Sequence, residues 1–236
     1  RNLSDCAAMA CLPEAAVAAV ALPKRPLAGL ALLDFAKELY VGLREAADVY
    51  SCVLVGGDTA SWDGKLAITV TILARSAGIP PITRSGAKPG DHVYITGPLG
   101  GSILGRHMTF KPKIEQGRLI GLLGTLGAVH AMIDVSDGLS RDLKHICRQS
   151  GVGAIIEADC IPIHEDATAL CLRDGISALE HALHDGEDHE LLFTGKPQPE
   201  LEGAIWIGRI VEGNEIQLRT QSGLAPLEPK GWEHEL

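Results

Sequence analysis

The stretch Ala131-Met132-Ile133-Asp134-Val135-Ser136-Asp137-Gly138-Leu139 decides how the rest of the chain is read. Ala131 to Val135 is an apolar run of strand length that breaks into Ser136-Asp137-Gly138. A helix follows, with Leu139, Leu143, Ile146 and Cys147 recurring on one face and Gly151 just past its end. A strand that ends in Asp flanked by Ser, Thr or Gly presents carboxylates at a sheet edge, where α/β-type folds place their ligands. Asp137 could equally cap the helix beginning at Gly138.

The same grammar recurs in Asn2-Leu3-Ser4-Asp5, read as the end of a strand, and in Val55-Gly56-Gly57-Asp58-Thr59, read as a turn that leaves Asp58 at a strand end. Each alone fits a turn or a cap. Together they point to hard oxygen ligands for Mg²⁺, which takes one or two carboxylates plus substrate phosphates. The formal charge of −9 supports this and excludes a broad basic surface, so nucleic acid is not an expected partner. An acidic protein that handles phosphates needs a cation between its carboxylates and the phosphate oxygens.

Ala31 to Tyr50 places Leu32, Phe35, Ala36, Leu39, Leu43 and Ala46 or Ala47 on one helix face. Ser51 to Val55 reads as a strand, Trp62-Asp63-Gly64-Lys65 as a hairpin turn and Leu66 to Arg75 as a longer strand. The Pro- and Gly-rich stretch from Gly78 to Asp91 interrupts all periodicity. Residues 1–78 are therefore read as a first domain, 79–90 as a linker and 91–236 as a second. In the second, strands are expected at His92–Thr96, Ala154–Glu157, Glu190–Thr194, Ala204–Ile210 and Glu215–Arg219, with a helix at Ile114–Leu126. Aromatic residues make up 4% of the chain, so the core is built from small and branched aliphatics. The six cysteines show no C-x-x-C spacing and are read as buried thiols. With no apolar run of membrane-spanning length (about 18 residues) and no signal-peptide pattern, a cytoplasmic protein that does not meet a membrane is expected.

Asn2-Leu3-Ser4-Asp5-Cys6-Ala7-Ala8-Met9, Gly56-Gly57-Asp58-Thr59, Asp134-Val135-Ser136-Asp137-Gly138-Leu139 and Asp185-Gly186-Glu187-Asp188-His189-Glu190-Leu191, in this order, resemble the thiamine-monophosphate kinase family. That family shares a superfamily with aminoimidazole ribonucleotide synthetase, selenophosphate synthetase and a hydrogenase-maturation protein. The resemblance implies an α+β fold of two domains: an N-terminal mixed-sheet domain for dimerisation and ATP, and a C-terminal α+β domain. It also implies a homodimer that transfers the ATP γ-phosphate to thiamine monophosphate. Carried over by position, it makes Asp5, Asp58, Asp134 and Asp137 ligands of Mg²⁺, and places Gly57, Asp58, Arg84 and Ser136 against ATP. Glu187 and Trp232 fall on the thiamine-phosphate side, where a carboxylate offsets thiazolium charge and an indole stacks on a ring. No general base is assigned, because the acceptor phosphate oxygen is already a nucleophile at neutral pH. Another ATP-dependent synthetase of the superfamily, or a nucleotide-binding relative without activity, are the alternatives.

The family also carries an upstream Gly-Asp-Asp-Ala-type metal motif that these residues lack. With Arg in place of Met at position 1, the expectation is that it is encoded before Arg1. Ala10 stands where the family has Gly. Gly100 to His107 has the glycine spacing of a Walker A loop but puts Arg106 and His107 where Lys and Ser or Thr are needed, and is not read as one. Lys111 and Lys113 are read as solvated, His189 as structural or at the site's edge, and Asp63, Asp91, Asp142 and Asp188 as turn, surface or supporting groups.

Overall fold

The structure is a computed structural model that describes residues 1–26, 28–197 and 202–231. Its residues fall into two compact units, one of Asn2 and Cys11–Ala77, the other of Arg1, Leu3–Ala10 and Gly78–Leu236.

The smaller unit is built on β1 (Leu12–Pro23), the centre of a three-stranded sheet of order β2-β1-β3. The sequence analysis assigns no element to this Ala-rich segment, because Ala carries helix propensity and no strand signature. β1 runs parallel to β2 (Val53–Trp62) and antiparallel to β3 (Ala67–Arg75). Both neighbours pair with β1 and not with each other, so Trp62 to Lys65 is a connection over β1 and not a hairpin turn between paired strands. Gly56 to Thr59 is likewise not a turn. It lies inside β2, with Gly57 opposite Ala18 and Asp58 opposite Ala19, because a parallel partner extends the strand past the point where its apolar residues stop. α2 (Leu32–Val49) covers the sheet, and Ala47 joins Ala16 and Cys52 in a small core flanked by Leu54 and Ile72.

The larger unit holds a seven-stranded sheet of order β10-β9-β6-β8-β4-β7-β5. The strands are β4 (His92–Ile95), β5 (Val129–Asp134), β6 (Gly153–Glu157), β7 (Leu191–Gly195), β8 (Ile205–Val211), β9 (Ile216–Thr220) and β10 (Gly223–Pro226). α3 (Ile114–Thr125), α4 (Leu139–Ser150), α5 (Glu165–Asp174) and α6 (Ala178–His184) complete it. Leu139, Leu143, Ile146 and Cys147 of α4 are all buried in one core with Val93, Ile95, Ile133 and Leu192. Gly151 closes α4 in the left-handed conformation. β7 runs antiparallel to both β4 and β5. The exits of β4 and β5 and the entry to β7 therefore meet at one sheet edge.

Asn2–Ala8 is a helix, α1, and not the end of a strand. Its Ser4, Cys6, Ala7 and Ala8 are buried, a helical stripe of small residues that carries no apolar signal in sequence. α1 packs closely on α3, where a Cβ on Gly117 would lie 2.2 Å from the Ala7 carbonyl oxygen. Ala10, in the position the resemblance gives to Gly, has φ +56° and is fully buried. Residues 79–90 carry no helix or strand but are not a free linker, since Ile79, Ile82 and Ala87 are buried and the Thr83 carbonyl accepts the Met132 N–H at 3.0 Å. Cys6, Cys11, Cys52 and Cys147 are buried thiols, while Cys160 and Cys171 are partly exposed. No helix among the described residues is long and apolar enough to cross a membrane.

Candidate active site

Three loops meet at the sheet edge of the larger unit: the Gly-rich segment after β4, Val135–Gly138 after β5 and Asp185–Glu190 before β7. Asp134, the last residue of β5, is 4% exposed. Its Oδ2 accepts the Ser4 hydroxyl at 2.6 Å and faces His189 Nδ1 at 3.4 Å. Burial opposes ionisation of Asp134, but the hydrogen bonds from His189 and Ser4 outweigh it and hold the carboxyl below its ordinary value. Asp5, one residue after Ser4 on α1, goes the other way, raised by desolvation and by the charge of Asp134 and opposed by Arg84.

The loop after β5 is held from both sides. Asp142 of α4 is buried, and its Oδ2 accepts the Ser136 and Asp137 N–H groups at 3.0 Å each. Burial pushes the Asp142 carboxyl up to about 7, against the pull of the Asp137 N–H. From the opposite side the Glu187 and His189 N–H groups donate to the Ser136 and Val135 carbonyls, both at 2.8 Å. Gly186, with φ +75°, is required there, since a Cβ would sit 2.6 Å from the Ser136 oxygen. Glu187 and His189 adopt φ +56° and +53°, conformations that side-chain-bearing residues enter only where surrounding contacts impose them.

Those contacts come from the Gly-rich segment. Gly100 N–H donates to Asp188 Oδ1 and Gly101 N–H to Asp185 Oδ2, at 3.0 and 2.9 Å. Arg106 Nη2 reaches the same Asp188 oxygen at 3.0 Å, and Ser102 Oγ donates to the Gly186 carbonyl at 2.8 Å. Gly100 and Gly101 thus have their N–H groups on aspartates, and the Gly105 N–H donates to the Ser102 carbonyl. Lys113 is not a solvated charge, since its Nζ lies 3.1 Å from Glu190 Oε1.

Two clefts open on this framework. One, of about 320 Å³, is lined by Asp5, Asp134, Thr83, Arg84 and Gln149. The other, of about 790 Å³, is lined by Asp5, Asp134, Ser136, Asp137, Glu187 and His189, among others. Asp5 and Asp134 belong to both. Arg1 forms an ion pair with Glu187 Oε1, so this carboxylate is placed to take a cation, and its Oε2 is buried without a hydrogen-bond partner. Asp137, Asp142 and His145 bring one ligand atom each to within 4.8 Å of one another. The oxygen-rich pair of Asp5 and Asp134, in which the charge of Asp134 raises Asp5, fits a hard divalent cation.

Of the residues expected at the site, the larger unit thus brings together Asp5, Arg84, Asp134, Ser136, Asp137 and Glu187. Gly57 and Asp58 belong to the smaller unit, where they line a cleft of about 430 Å³ with Ala18, Leu39 and Tyr40. Trp232 lies outside the described residues. Ser4 is a part of the site not expected from the sequence, and Asp142, read there as a turn, surface or supporting group, is a supporting one. Their only signals are Ser one residue before Asp5 and Asp five residues after Asp137, and neither position marks burial.

Residues 1–76 match the family model described as AIR synthase related protein, N-terminal domain. The chain is 38% identical to the thiamine-monophosphate kinase of Rhodopirellula baltica over 99% of its own length and 73% of that protein's. It belongs to the thiamine-monophosphate kinase family. The solved structure of AaThiL complexed with AMPPCP and TMP superimposes with a TM-score of 0.83 at 28% identity, over 99% of this chain and 77% of that one. Hydrogenase maturation protein HypE, at 19% identity and a TM-score of 0.77 over 100% of this chain and 82% of that one, shares the fold. The two-domain α+β class expected of the thiamine-monophosphate kinase family is thus the class of this chain.

The Arg106–Asp188 pair generates a stability prediction. Burial pushes the Asp188 carboxyl from 3.8 up to about 7, against the pull of Arg106, so the folded chain holds a proton there that the unfolded chain has released. The stability this contributes is complete below pH 3.8 and is lost as pH rises through about 7. Urea unfolding should therefore show a fall in stability between pH 5 and pH 8, to which Asp142 contributes in the same sense and which Asp188→Asn makes shallower. Arg106→Ala should destabilise by on the order of 3 kcal/mol at pH 8 and by less at pH 5. Equal losses at the two pH values would contradict the assignment.

Proposed function

We propose that the chain transfers the γ-phosphoryl group of ATP to thiamine monophosphate, giving thiamine diphosphate, with Mg²⁺ held by Asp5, Asp58, Asp134 and Asp137. The observation that carries this reading is the pair of clefts sharing Asp5 and Asp134, with Arg84 in one and Glu187 in the other. Two clefts with a common carboxylate wall suit a donor and an acceptor that must meet in line. Arg84 neutralises phosphate charge on the nucleotide side. Ser136, which lines the cleft of Glu187, and Gly57 of the smaller unit are the other proposed contacts of ATP. Glu187 receives the thiazolium cation, the kind of partner that Arg1 already supplies to it. Trp232 stacks on the acceptor's ring. When bound, Mg²⁺ supplies charge neutralisation on the transferred group. The acceptor phosphate needs no base, so no residue of the chain takes its proton.

The domain division at 78 and 90, a homodimer and a cytoplasmic location belong to the same reading. For the dimer, the support is the apolar surface of the smaller unit: Val53, Val55 and Leu73 on its strands are 61%, 61% and 63% exposed. A second copy is the proposed cover. Sedimentation equilibrium should give a dimer that Val55→Asp converts to monomer, and a monomeric wild type would end this part of the proposal.

For the activity, the protein as encoded should form ADP and thiamine diphosphate from ATP and thiamine monophosphate only when Mg²⁺ is present. Asp134→Asn should lower kcat by about 100-fold or more while circular dichroism stays unchanged. Binding of a non-hydrolysable ATP analogue without any turnover would instead identify a nucleotide-binding relative.

A further inference from the structure

We propose that Ser4 and His189 are positioning residues that hold the Asp134 carboxylate in its cation-binding orientation and thereby set the affinity of the site for its divalent ion. The inference rests on the cation reading of Asp134 above and goes beyond it to two residues that act on the ion through the Asp134 carboxylate.

Both donors act on one oxygen. The Ser4 hydroxyl reaches Asp134 Oδ2 at 2.6 Å, the length of a charge-assisted O–H···O bond, and His189 Nδ1 approaches the same oxygen at 3.4 Å. To donate there, Nδ1 must carry a proton. The other ring nitrogen, Nε2, is buried without a hydrogen-bond partner, so the ring is not oriented by a second polar contact. Packing orients it instead: the imidazole stacks on Phe110 with ring centroids 3.8 Å apart and an interplanar angle of 23°. The His189 backbone is also fixed, its N–H on the Val135 carbonyl at 2.8 Å and its φ at +53°.

Ser4 is equally constrained. It is 0% exposed on α1, the helix that also carries Asp5. One helix therefore supplies a carboxylate to both clefts and the hydroxyl that fixes its partner carboxylate. Groups that orient a metal-binding carboxylate typically change metal affinity by about 10–100-fold when removed. The shorter contact assigns the larger share to Ser4.

The test is Mn²⁺ binding, read by electron paramagnetic resonance on the chain with a non-hydrolysable ATP analogue and no turnover. Ser4→Ala should weaken Mn²⁺ by about 10–100-fold. His189→Phe, which keeps the ring on Phe110 and loses the donor, should weaken it by less, about tenfold. In steady state both variants should need more Mg²⁺ for half-maximal rate and regain activity as Mg²⁺ is raised, and Ser4→Ala, whose side chain lines neither cleft, should keep the wild-type KM for thiamine monophosphate at saturating Mg²⁺. Ser4→Thr, which keeps the hydroxyl, should restore binding. A merely structural role would lower activity at every Mg²⁺ concentration. Wild-type Mn²⁺ affinity in both variants overturns the inference. Absence of Mn²⁺ binding in the wild type overturns the cation reading itself, and this inference with it. Should Ser4→Ala fail to fold, the affinity of His189→Phe decides alone.

Discussion

The Ser4–Asp134 hydrogen bond is the constraint on which the larger unit's site depends. An aspartate that is 4% exposed stays ionised only if donors replace the water it has lost, and the donors here are His189 and Ser4, the Ser4 bond being the shorter of the two. For the hydroxyl to arrive, α1 must lie close to the strand that ends in Asp134. The same helix packs on α3, where Gly117 leaves no room for a side chain over the Ala7 carbonyl.

A second layer of aspartates serves geometry. Asp142 accepts the backbone N–H groups of Ser136 and Asp137, while Asp185 and Asp188, on the loop that carries Glu187, accept those of Gly101 and Gly100. Left-handed residues such as Glu187 and His189 cost on the order of 1–3 kcal/mol each, and persist where neighbours over-determine the backbone. Here the neighbours are the Gly100 and Gly101 N–H groups, Arg106 and the carbonyls of Val135 and Ser136. A glycine spacing that suggests phosphate binding is used to lock the loop presenting Glu187.

Much of this was legible in the residues. The strand–turn–helix around Asp134 and the inward face of α4 follow from apolar periodicity, and the motif order led to the family. What was not legible depends on partners distant in sequence. Leu12–Pro23 becomes a central strand because two strands flank it, although its alanines favour a helix when isolated. Gly56–Thr59 extends a strand because β1 pairs with it, and Asn2–Ala8 is helical although its apolar pattern is too short to say so. Asp142 and Ser4 could not be told from surface residues, since burial of a polar side chain has no local signature.

The central claim is that Asp5 and Asp134 form the common wall of a donor cleft and an acceptor cleft. Calorimetric titration of thiamine monophosphate, with and without a saturating non-hydrolysable ATP analogue and Mg²⁺, tests it most directly. The account predicts a ternary complex, in which thiamine monophosphate binds at least as tightly when the nucleotide analogue is already bound. Mutual displacement of the two ligands would contradict it.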